Sequence, residues 1–530
     1  MGKIVRAPLY DCLTAHEATH PVSFHVPGHR NGEAWQSYAE RSAVQERLAR
    51  FGGVLSIDVT EISATDDLHS PDNVIAEAQQ MAARVFGADE SMLLVGGSTS
   101  GNIAMILTVC EPGDIILVQR NVHKSVLNGL RLAGAQAVFL QPAYEPYEGT
   151  VLVPLLKTVE QALQRYPEAR AVMLSTPNYY GRGVSIKPYV ELVHSYGIPL
   201  LVDEAHGAHY GLHDAFPESA IVQGADAVVQ STHKTLPAMT MGAMLHIREQ
   251  YMDIERLRDM LAAVQSSSPS FPIMASLDIA RAMIEEEGPA LFESGLSQAL
   301  LFRQEMKRRN GRLAVSAGET SEDHQVATKT DGYGPLWNDE VRIDPLRMII
   351  RDESGVVSGY ELLSLLEKYG CWAEMADEHR VLLLFGPFVS REDTKRLLDA
   401  CEAIEEEFVK HQREQHLFEN IDTAKSPHEM QESYDVELKR MFSEPIPFSM
   451  NRINRDTITT VPLHSAEGSI SAETITPYPP GIPLVYAGER LEQTVIARLA
   501  KLVHMGAKCQ GASDPTLQTI RIMRQAANIY

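Results

Sequence analysis

An acidic residue and a lysine, separated by about one βαβ step, carry the most specific chemistry in this sequence. Asp203 ends an apolar segment typical of a buried strand, and Lys234 follows the next such segment, 227–229, within the sequence STHK. A lysine in this place can hold pyridoxal 5′-phosphate as a Schiff base. An acid under the ring can keep the pyridine nitrogen protonated, so that the ring accepts electrons from a bond breaking at the α-carbon of an amino acid. The pair therefore indicates amino-acid chemistry on this cofactor.

A loop rich in small and hydroxyl residues precedes this pair in the chain. It lies at 96–102, between a predicted strand and a predicted helix, and carries the hydroxyls of Ser98, Thr99 and Ser100. Free backbone N–H groups and the positive end of a helix dipole bind phosphate at such a position. The loop fits neither the dinucleotide fingerprint nor the P-loop pattern. With Asp203 and Lys234 downstream, it is predicted to bind the phosphate of the same cofactor.

One histidine continues the series of polar residues that follow apolar strands. His123 comes after the segment 115–118, within the sequence RNVHKS. Cofactor-binding α/β enzymes of this kind place a flat ring on one face of the pyridine. We therefore predict that the imidazole of His123 stacks on the cofactor.

Together these segments resemble the fold type I Orn/Lys/Arg decarboxylases, in the shorter form that lacks an N-terminal wing domain. The resemblance runs almost from end to end. The further segments that carry it are FHVPGHR at 24–30, DVTE at 58–61, DDLH at 66–69, QSSSPSF at 265–271, SAE at 471–473 and YPPGIP at 478–483. The first and last of these are specific to the family, whereas the Asp and Lys motifs are shared with many aminotransferase-fold enzymes.

The resemblance implies a role for each matching residue at the cofactor. Lys234 is expected to hold the cofactor, Asp203 to contact the pyridine nitrogen, and Ala205 to pack against the ring. The side chains expected at the phosphate are Thr99, Ser100, Ser231 and His233, with Ser266 and Ser267 reaching the phosphate of a neighbouring subunit. His206 stands where the long enzymes of the family carry an aromatic residue. We expect His206 beside the cofactor, and whether it positions the substrate stays open.

Two acids are candidates for the distal cation of a basic substrate. Glu473 resembles the acid that the C-terminal domain presents at the mouth of the site, where a cation needs a carboxylate. Glu374, in the sequence CWAE, either shares this work or is a solvent-facing acid of a strand. For the proton donor to the α-carbon, both Lys234 and His233 are candidates.

The hydrophobic pattern predicts how these residues are positioned. Apolar strand candidates alternate with helical segments between about 70 and 248, at 92–95, 115–118, 137–140, 171–174, 200–202, 227–229 and 243–247. This pattern predicts a mainly parallel, doubly wound sheet of seven strands, with the candidate ligands at the carboxyl ends of strands. The resemblance implies an aspartate-aminotransferase-like (fold type I) α/β major domain with a small α+β domain and a C-terminal α+β domain. The expected boundaries are 1–60 for an N-terminal arm, 61–310, 311–419 and 420–530.

Composition agrees with a globular enzyme. The chain has 530 residues, of which 44% are hydrophobic, and a formal net charge of −23. This acidic balance argues against nucleic acid or an anionic membrane as a partner. The five cysteines are widely separated and show no metal-ligand spacing, so we expect free thiols and no metal site. Neither a signal peptide nor an apolar run of spanning length is evident, which predicts a cytoplasmic protein.

The resemblance implies α-decarboxylation of a basic amino acid in polyamine or acid-stress metabolism. Arginine is slightly preferred over lysine, and ornithine is less favoured. It also implies a homodimer or a dimer of dimers with shared active sites. Two alternatives stay open: another fold type I reaction, such as that of an aminotransferase or an oxidase, on a cationic amino acid; and a catalytically silent binding or regulatory protein, against which the intact Lys234 argues.

Overall fold

A computed structural model describes most of the chain. The described residues are 5–39, 50–145, 149–316, 341–415, 441–450, 457–478, 483–504 and 508–524. They form two compact units: unit 1 comprises Met1–Cys110, Arg170–Thr176 and Ser185–Leu291, and unit 2 comprises Glu111–Ala169, Pro177–Val184 and Phe292–Tyr530.

The helices are, in chain order, α1 (Pro8–Ala18), α2 (Glu33–Ala39), α3 (Gly52–Leu55), α4 (Val74–Phe86), α5 (Gly97–Val109), α6 (Lys124–Ala133), α7 (Leu156–Arg165), α8 (Lys187–His194), α9 (Thr232–Thr235), α10 (Ile254–Val264), α11 (Phe271–Glu287), α12 (Ala290–Arg309), α13 (Gly359–Lys368), α14 (Arg391–Gln415) and α15 (Gln493–His504). None of the helices in the described ranges is long and apolar enough to cross a membrane.

The strands are, in chain order, β1 (Glu90–Leu94), β2 (Ile115–Gln119), β3 (Gln136–Leu140), β4 (Val172–Ser175), β5 (Arg182–Gly183), β6 (Leu200–Asp203), β7 (Ala227–Gln230), β8 (Ala243–Ile247), β9 (Leu313–Val315), β10 (Arg342–Ile343), β11 (Arg347–Asp352), β12 (Met375–Ala376), β13 (Arg380–Leu384), β14 (Ile446–Pro447), β15 (Ile458–Pro462), β16 (Ile470–Ser471), β17 (Thr476–Tyr478), β18 (Lys508–Gln510) and β19 (Thr519–Met523).

In unit 1, five strands lie side by side in the order β1-β8-β7-β6-β4. Strands β4, β6 and β7 are parallel, and Asp203 at the end of β6 is in register with Val229 of β7. Every residue of β6, β7 and β8 is buried. Burial on both faces explains why these strands appear in the sequence as continuous apolar runs rather than as alternating patterns. The parallel register brings the carboxyl ends of β6 and β7 to the same edge.

Helix α5 packs closely on this sheet because Gly101 has no side chain. A Cβ atom at Gly101 would lie 2.6 Å from Cγ2 of Val229 and 2.9 Å from Cδ1 of Leu94. Gly97, which begins the helix, has a positive φ of 72° and donates its N–H to the carbonyl of Met241 at 2.9 Å. Glycine adopts this backbone conformation without steric cost. The first turn of α5 is therefore held against the strand ends.

Unit 2 contains three strands of the eight-stranded sheet, β2, β3 and β14, and several smaller sheets. Strand β3 pairs with β2 in parallel and with β14 in antiparallel orientation. An antiparallel sheet in the order β12-β13-β11-β9 is accompanied by α13 and α14. Near the C-terminus, the sheet β15-β19-β16 and the pair β17-β18 are accompanied by α15, with a core that includes Ile475, Val485 and Leu499.

The fold class predicted from the sequence is confirmed: an α/β major domain with two smaller α+β parts. All seven predicted strands form, within two residues of the expected bounds. Two of the pairings are antiparallel, β7 with β8 and β8 with β1, because only the four-residue α9 and a loop connect β7 to β8 instead of a crossover helix. The domain boundaries stay predictions. Residues 479–482 of the YPPGIP segment and the expected boundary at 419–420 lie outside the described residues.

Candidate active site

Lys234 and His206 meet where two neighbouring strands end. Lys234 lies in the short helix α9, which follows β7, and His206 lies in the turn that follows β6. The Nζ atom of Lys234 is 3.0 Å from Nε2 of His206. Only 6% of His206 is exposed. The structure thus brings the predicted cofactor lysine into hydrogen-bond contact with a buried imidazole.

Asp203 is held by two donors from its own unit. Its side chain is buried, and Oδ2 accepts a hydrogen bond from Nδ2 of Asn102 at 2.8 Å. Oδ1 accepts a hydrogen bond from the backbone N–H of Ala205 at 3.1 Å. A buried carboxylate is costly unless such donors satisfy it. The two bonds fix the plane of the carboxylate at the end of β6, which suits a partner for a protonated pyridine nitrogen.

Two hydroxyl groups meet at the start of α5. The Oγ of Ser231 donates to the Oγ of Ser98 at 2.9 Å. Thr99 is exposed, whereas Ser100 is buried and donates its hydroxyl to the carbonyl of Gly97 at 2.9 Å. Hydroxyl groups beside the N-terminus of a 13-residue helix form a set of donors that fits a phosphate.

His233 is anchored to the start of β8. Its backbone N–H and its Nδ1 both contact the carbonyl of Gly242, at 3.1 and 2.8 Å. A carbonyl oxygen only accepts hydrogen bonds, so Nδ1 carries the hydrogen in this contact. The ring of His233 is therefore fixed in orientation next to Lys234 in the chain. Its predicted role at the phosphate stays a prediction.

Three further residues predicted at the cofactor, His123, Ser266 and Ser267, have contacts with other parts of the chain. His123 caps α6: its Nδ1 accepts from the N–H of Ser125 at 3.2 Å and lies 2.9 Å from the Ser125 hydroxyl. Ser266 and Ser267 are exposed, and the carbonyl of Ser266 contacts Nε2 of His69 at 2.9 Å. Ring stacking by His123 and contact with a neighbouring subunit by the two serines stay predictions.

The two substrate candidates differ in their surroundings. Glu473 is buried, and its two carboxylate oxygens accept the backbone N–H groups of Ser513 and Arg521 at 3.0 and 3.2 Å. These bonds tie together the C-terminal part of unit 2. Glu374 is exposed and donates only its backbone N–H, to Leu382, in the pairing of β12 with β13. Their predicted substrate contacts stay predictions.

Sequence reasoning missed two residues that position this site. Asn102 is completely buried and orients Asp203. Gln265, at the end of α10, accepts the backbone N–H of Val95 at 2.9 Å and so holds the strand end that precedes the loop at 96–102. The signal for Asn102 was a polar amide directly before the apolar stretch 103–107 of helix α5. No sequence pattern connects Gln265 with Val95, which is 170 residues away.

A chain of buried polar groups supports the turn that carries His206. The Ser91 hydroxyl bonds to Nδ1 of His246 at 2.7 Å, and Nε2 of His246 bonds to the Gln230 carbonyl oxygen at 3.1 Å. The Gln230 amide donates to Glu204 at 2.7 Å, and Glu204 also accepts from the Ser219 hydroxyl at 2.7 Å and from a backbone N–H. Because the amide oxygen of Gln230 only accepts hydrogen bonds, His246 carries its hydrogen on Nε2.

Burial changes the titration of two groups in this chain. It raises the pKa of Glu204 from 4.5 to about 7, although the hydrogen bonds from Ser219, Gln230 and Ala220 oppose the shift. It lowers the pKa of His246 from 6.5 to about 3. The imidazole of His246 is therefore neutral in the folded protein throughout the physiological range.

Comparisons with known proteins agree with this geometry. The family model for the Orn/Lys/Arg decarboxylase major domain matches residues 7–393, and the model for the C-terminal domain of these enzymes matches residues 428–519. The chain belongs to the Orn/Lys/Arg decarboxylase family. It is 39% identical over 508 residues to the Bacillus subtilis (strain 168) protein YaaO, with 96% of each chain covered.

Two further comparisons concern named decarboxylases. The chain is 31% identical over 525 residues to the arginine decarboxylase of Bacillus subtilis (strain 168), with 98% of each chain covered. The crystal structure of the lysine decarboxylase LdcF from Francisella novicida is similar in fold, with a TM-score of 0.77 at 20% identity, covering 98% of this chain and 81% of that chain.

Family membership gives the reaction class. Orn/Lys/Arg decarboxylases are pyridoxal 5′-phosphate-dependent carboxy-lyases, and this protein is an amino-acid decarboxylase of that kind, acting on a basic amino acid. The residues present fit the cofactor. A lysine amine, a buried and oriented carboxylate, and paired hydroxyls at a helix N-terminus supply the three groups that it requires.

Removal of the Asn102 amide is expected to weaken cofactor binding. Asn102→Ala removes the side-chain donor of the buried Asp203 carboxylate and leaves it the backbone N–H of Ala205, and a hydrogen bond to a charged group contributes about 1.5–3 kcal/mol. We expect the Kd for pyridoxal 5′-phosphate to rise roughly tenfold or more. Equilibrium titration followed by cofactor absorbance measures this. Thr108→Val, in the same helix, removes a hydroxyl that bonds only back to Ala104 and is the control. An unchanged Kd in folded Asn102→Ala would contradict the role.

The low pKa of His246 predicts acid sensitivity. The unfolded chain binds a proton at this histidine below about pH 6.5 and the folded protein only below about pH 3, so this group lowers stability as pH falls through that window. The slope is at most about 1.4 kcal/mol per pH unit. Glu204, with its raised pKa, acts oppositely: its contribution is present below about pH 4.5 and is lost as pH rises to about 7.

The variant His246→Gln isolates the histidine because Glu204 is present in both proteins. The free energy of unfolding in urea, measured from pH 7.5 to 5, should fall less steeply in His246→Gln than in the natural protein. The same substitution at the exposed His464 should leave the slope unchanged. Equal slopes in the natural protein and His246→Gln would show that His246 is not held neutral.

Proposed function

We propose that the basic amino acid decarboxylated by this protein is arginine, with agmatine as the product. The observation that carries the choice is the match to the Bacillus subtilis arginine decarboxylase, at 31% identity over 98% of each chain. The lysine decarboxylase of Francisella novicida is 20% identical and extends beyond this chain, so it supports the fold alone. The similarity to the Bacillus subtilis arginine decarboxylase, which covers nearly the full length of both chains, therefore favours arginine.

The residues of unit 1 divide the work of holding the cofactor. When bound, pyridoxal 5′-phosphate supplies a conjugated ring that accepts the electron pair of the broken α-carbon bond. Asp203 holds the proton at the pyridine nitrogen, and Asn102 keeps the carboxylate oriented for this contact. Ser98, Ser231 and the first backbone N–H groups of α5 bind the phosphate. Lys234 provides the amine through which the cofactor is attached.

Decarboxylation requires that the substrate is bound in a fixed orientation and that a proton donor lies near its α-carbon. The carboxylate that leaves must lie perpendicular to the ring, and surroundings of low polarity favour its loss of charge. Lys234 and His233 are the candidate donors to the α-carbon. The ring of His233 is anchored by Nδ1 to Gly242, which leaves Nε2 as the nitrogen for this role. For the guanidinium of the substrate we propose Glu473, with Glu374 as a second acid.

A homodimer is consistent with the surface of the N-terminal arm. Val22, Phe24 and Val26 alternate along a segment outside the helices and strands, and they are 67%, 95% and 63% exposed. Apolar groups exposed in a row indicate a surface that another chain covers. We infer that a second copy of this chain covers it and supplies Ser266 and Ser267 to a shared site. We also propose a cytoplasmic location.

Product analysis tests the proposed function. Protein loaded with pyridoxal 5′-phosphate is given arginine, lysine or ornithine separately, and carbon dioxide and the amine product are measured. Agmatine formed at a kcat/KM at least tenfold above that for the formation of cadaverine or putrescine is the expected result. Preferential release of cadaverine or putrescine would reassign the substrate. Absence of release from all three, with cofactor bound, would favour another fold type I reaction or a silent protein.

Glu473→Gln separates a substrate contact from a structural one. If the carboxylate binds the guanidinium, KM for arginine should rise roughly tenfold or more while kcat and the cofactor Kd change little. Glu467→Gln, at an exposed position with no proposed substrate contact, is the matched control and should leave KM unchanged. A lower midpoint of thermal unfolding with unchanged KM in Glu473→Gln would instead assign Glu473 to its backbone bonds with Ser513 and Arg521.

A further inference from the structure

We propose that His206 is the proton-exchange partner of Lys234. In this role the imidazole takes the proton of the Lys234 ammonium before the amine bonds to the cofactor, and it supplies the proton again when the lysine is released. The inference rests on the decarboxylase assignment only in that both require the cofactor on Lys234. The sequence predicted only that His206 lies beside the cofactor. The proposed role gives a reason for a histidine at this buried position.

The contact between the two side chains carries the proposal. Nε2 of His206 lies 3.0 Å from Nζ of Lys234, which is a hydrogen-bond distance. An ammonium group only donates hydrogen bonds, so Nε2 accepts as long as the lysine is charged. The pair therefore holds its proton between two nitrogens, and a shift of that proton along the bond converts the ammonium and imidazole into an amine and an imidazolium.

The chemistry of the lysine requires such a partner. A lysine has an ordinary pKa of about 10.4, so roughly one in a few thousand is a neutral amine at pH 7. Only the neutral amine has the electron pair that attacks a carbonyl carbon. An imidazole, whose ordinary pKa is about 6.5, can hold the displaced proton at this pH. Contact with His206 thus gives Lys234 a route to its reactive form that does not depend on bulk water.

The step balances without a further reactant. As the carbon–nitrogen double bond forms, the carbon–oxygen double bond of the cofactor aldehyde breaks, and its oxygen leaves as water. The Lys234 ammonium loses two of its three hydrogens, and both pass through Nε2 of His206 to the departing oxygen. His206 ends in the neutral form in which it began. Release of the lysine by the amino group of a substrate runs through the same atoms, with the proton returned from His206.

The neighbouring titratable groups have partners of their own. Asp203 bonds to Asn102, and Glu204 bonds to Ser219 and Gln230. His233 bonds to Gly242, and the ring of His209 packs against that of Phe216. His206 is a titratable side chain whose Nε2 lies 3.0 Å from the lysine nitrogen. A proton that leaves Lys234 along this contact therefore passes to an imidazole.

The turn that carries His206 is held on both sides. The N–H of Glu204 donates to the carbonyl of Val229 at 3.0 Å, and the N–H of Gly207 donates to the carbonyl of Glu204 at 2.9 Å. The Glu204 carboxylate is tied to Ser219 at 2.7 Å. This rigid support keeps the imidazole at a fixed distance from Lys234, as proton transfer requires.

Cofactor attachment tests the proposal without any substrate. The full-length protein is stripped of cofactor and mixed with pyridoxal 5′-phosphate, and the absorbance of the lysine-bound form is followed between pH 6 and 10. In His206→Phe, we expect attachment at pH 7 to be about 10²-fold slower than in the natural protein, in line with the usual contribution of acid–base catalysis. The deficit should shrink toward pH 10, because bulk hydroxide then removes the lysine proton. His213→Asn, in the same segment, should retain the natural rate and pH profile.

Chemical rescue separates proton exchange from a structural role. Added imidazole should restore attachment in His206→Ala and have no effect on His213→Asn, since only the first variant leaves a space beside Lys234 for a replacement base. If His206→Phe does not fold, His206→Gln takes its place, and an unchanged final amount of bound cofactor establishes the folded state. Natural rates and pH profiles in the His206 variants, or slow rates that imidazole fails to restore, would overturn the proposal.

The outcome is distinguishable from a failure of the proposed function. Slow attachment in the variants together with no carbon dioxide from arginine would leave the proton-exchange role intact and remove the substrate assignment. Natural attachment in the variants together with agmatine formation would do the reverse.

Discussion

The buried carboxylate of Asp203 is the constraint on which the site depends. A charge placed at the end of an internal strand needs donors, and the structure supplies them from Asn102 and from the N–H of Ala205. Asn102 reaches the carboxylate because α5 lies close to the sheet, and the helix lies close because Gly101 leaves room for Val229 and Leu94. One missing side chain in the helix thus allows the hydrogen bond that orients the cofactor acid.

Successive residues at this strand end serve two different purposes. Asp203 bonds to α5, whereas Glu204 bonds to Gln230 of β7 and to the segment at 219–220. The first contact orients the acid of the cofactor, and the second fixes the turn that presents His206 to Lys234. Because the polar chain behind Glu204 consists of donors directed at one carboxylate, the turn is supported by groups that take no part in the chemistry themselves.

Much of the major fold could be predicted because parallel strands buried on both faces leave continuous apolar runs in the sequence. Asp203 and Lys234 could be predicted because the carboxyl ends of such strands collect ligands. Asn102, Gln265 and His246 could not, since each bonds to a partner more than 100 residues away in the chain. The strand β8 was predicted, but its antiparallel orientation was not, because its apolar run resembles that of its parallel neighbours. The bonds of Glu473 to the backbone N–H groups of Ser513 and Arg521 could not be predicted because these partners lie 40 and 48 residues further along the chain.

The most direct test of this account is the position of the covalent cofactor bond. The protein is incubated with pyridoxal 5′-phosphate, reduced with borohydride, digested and analysed by mass spectrometry. One pyridoxyl group per chain is expected, on Lys234, which contacts His206 near the oriented Asp203. A group attached to another lysine, or an unlabelled Lys234 in protein that has bound the cofactor, would contradict it.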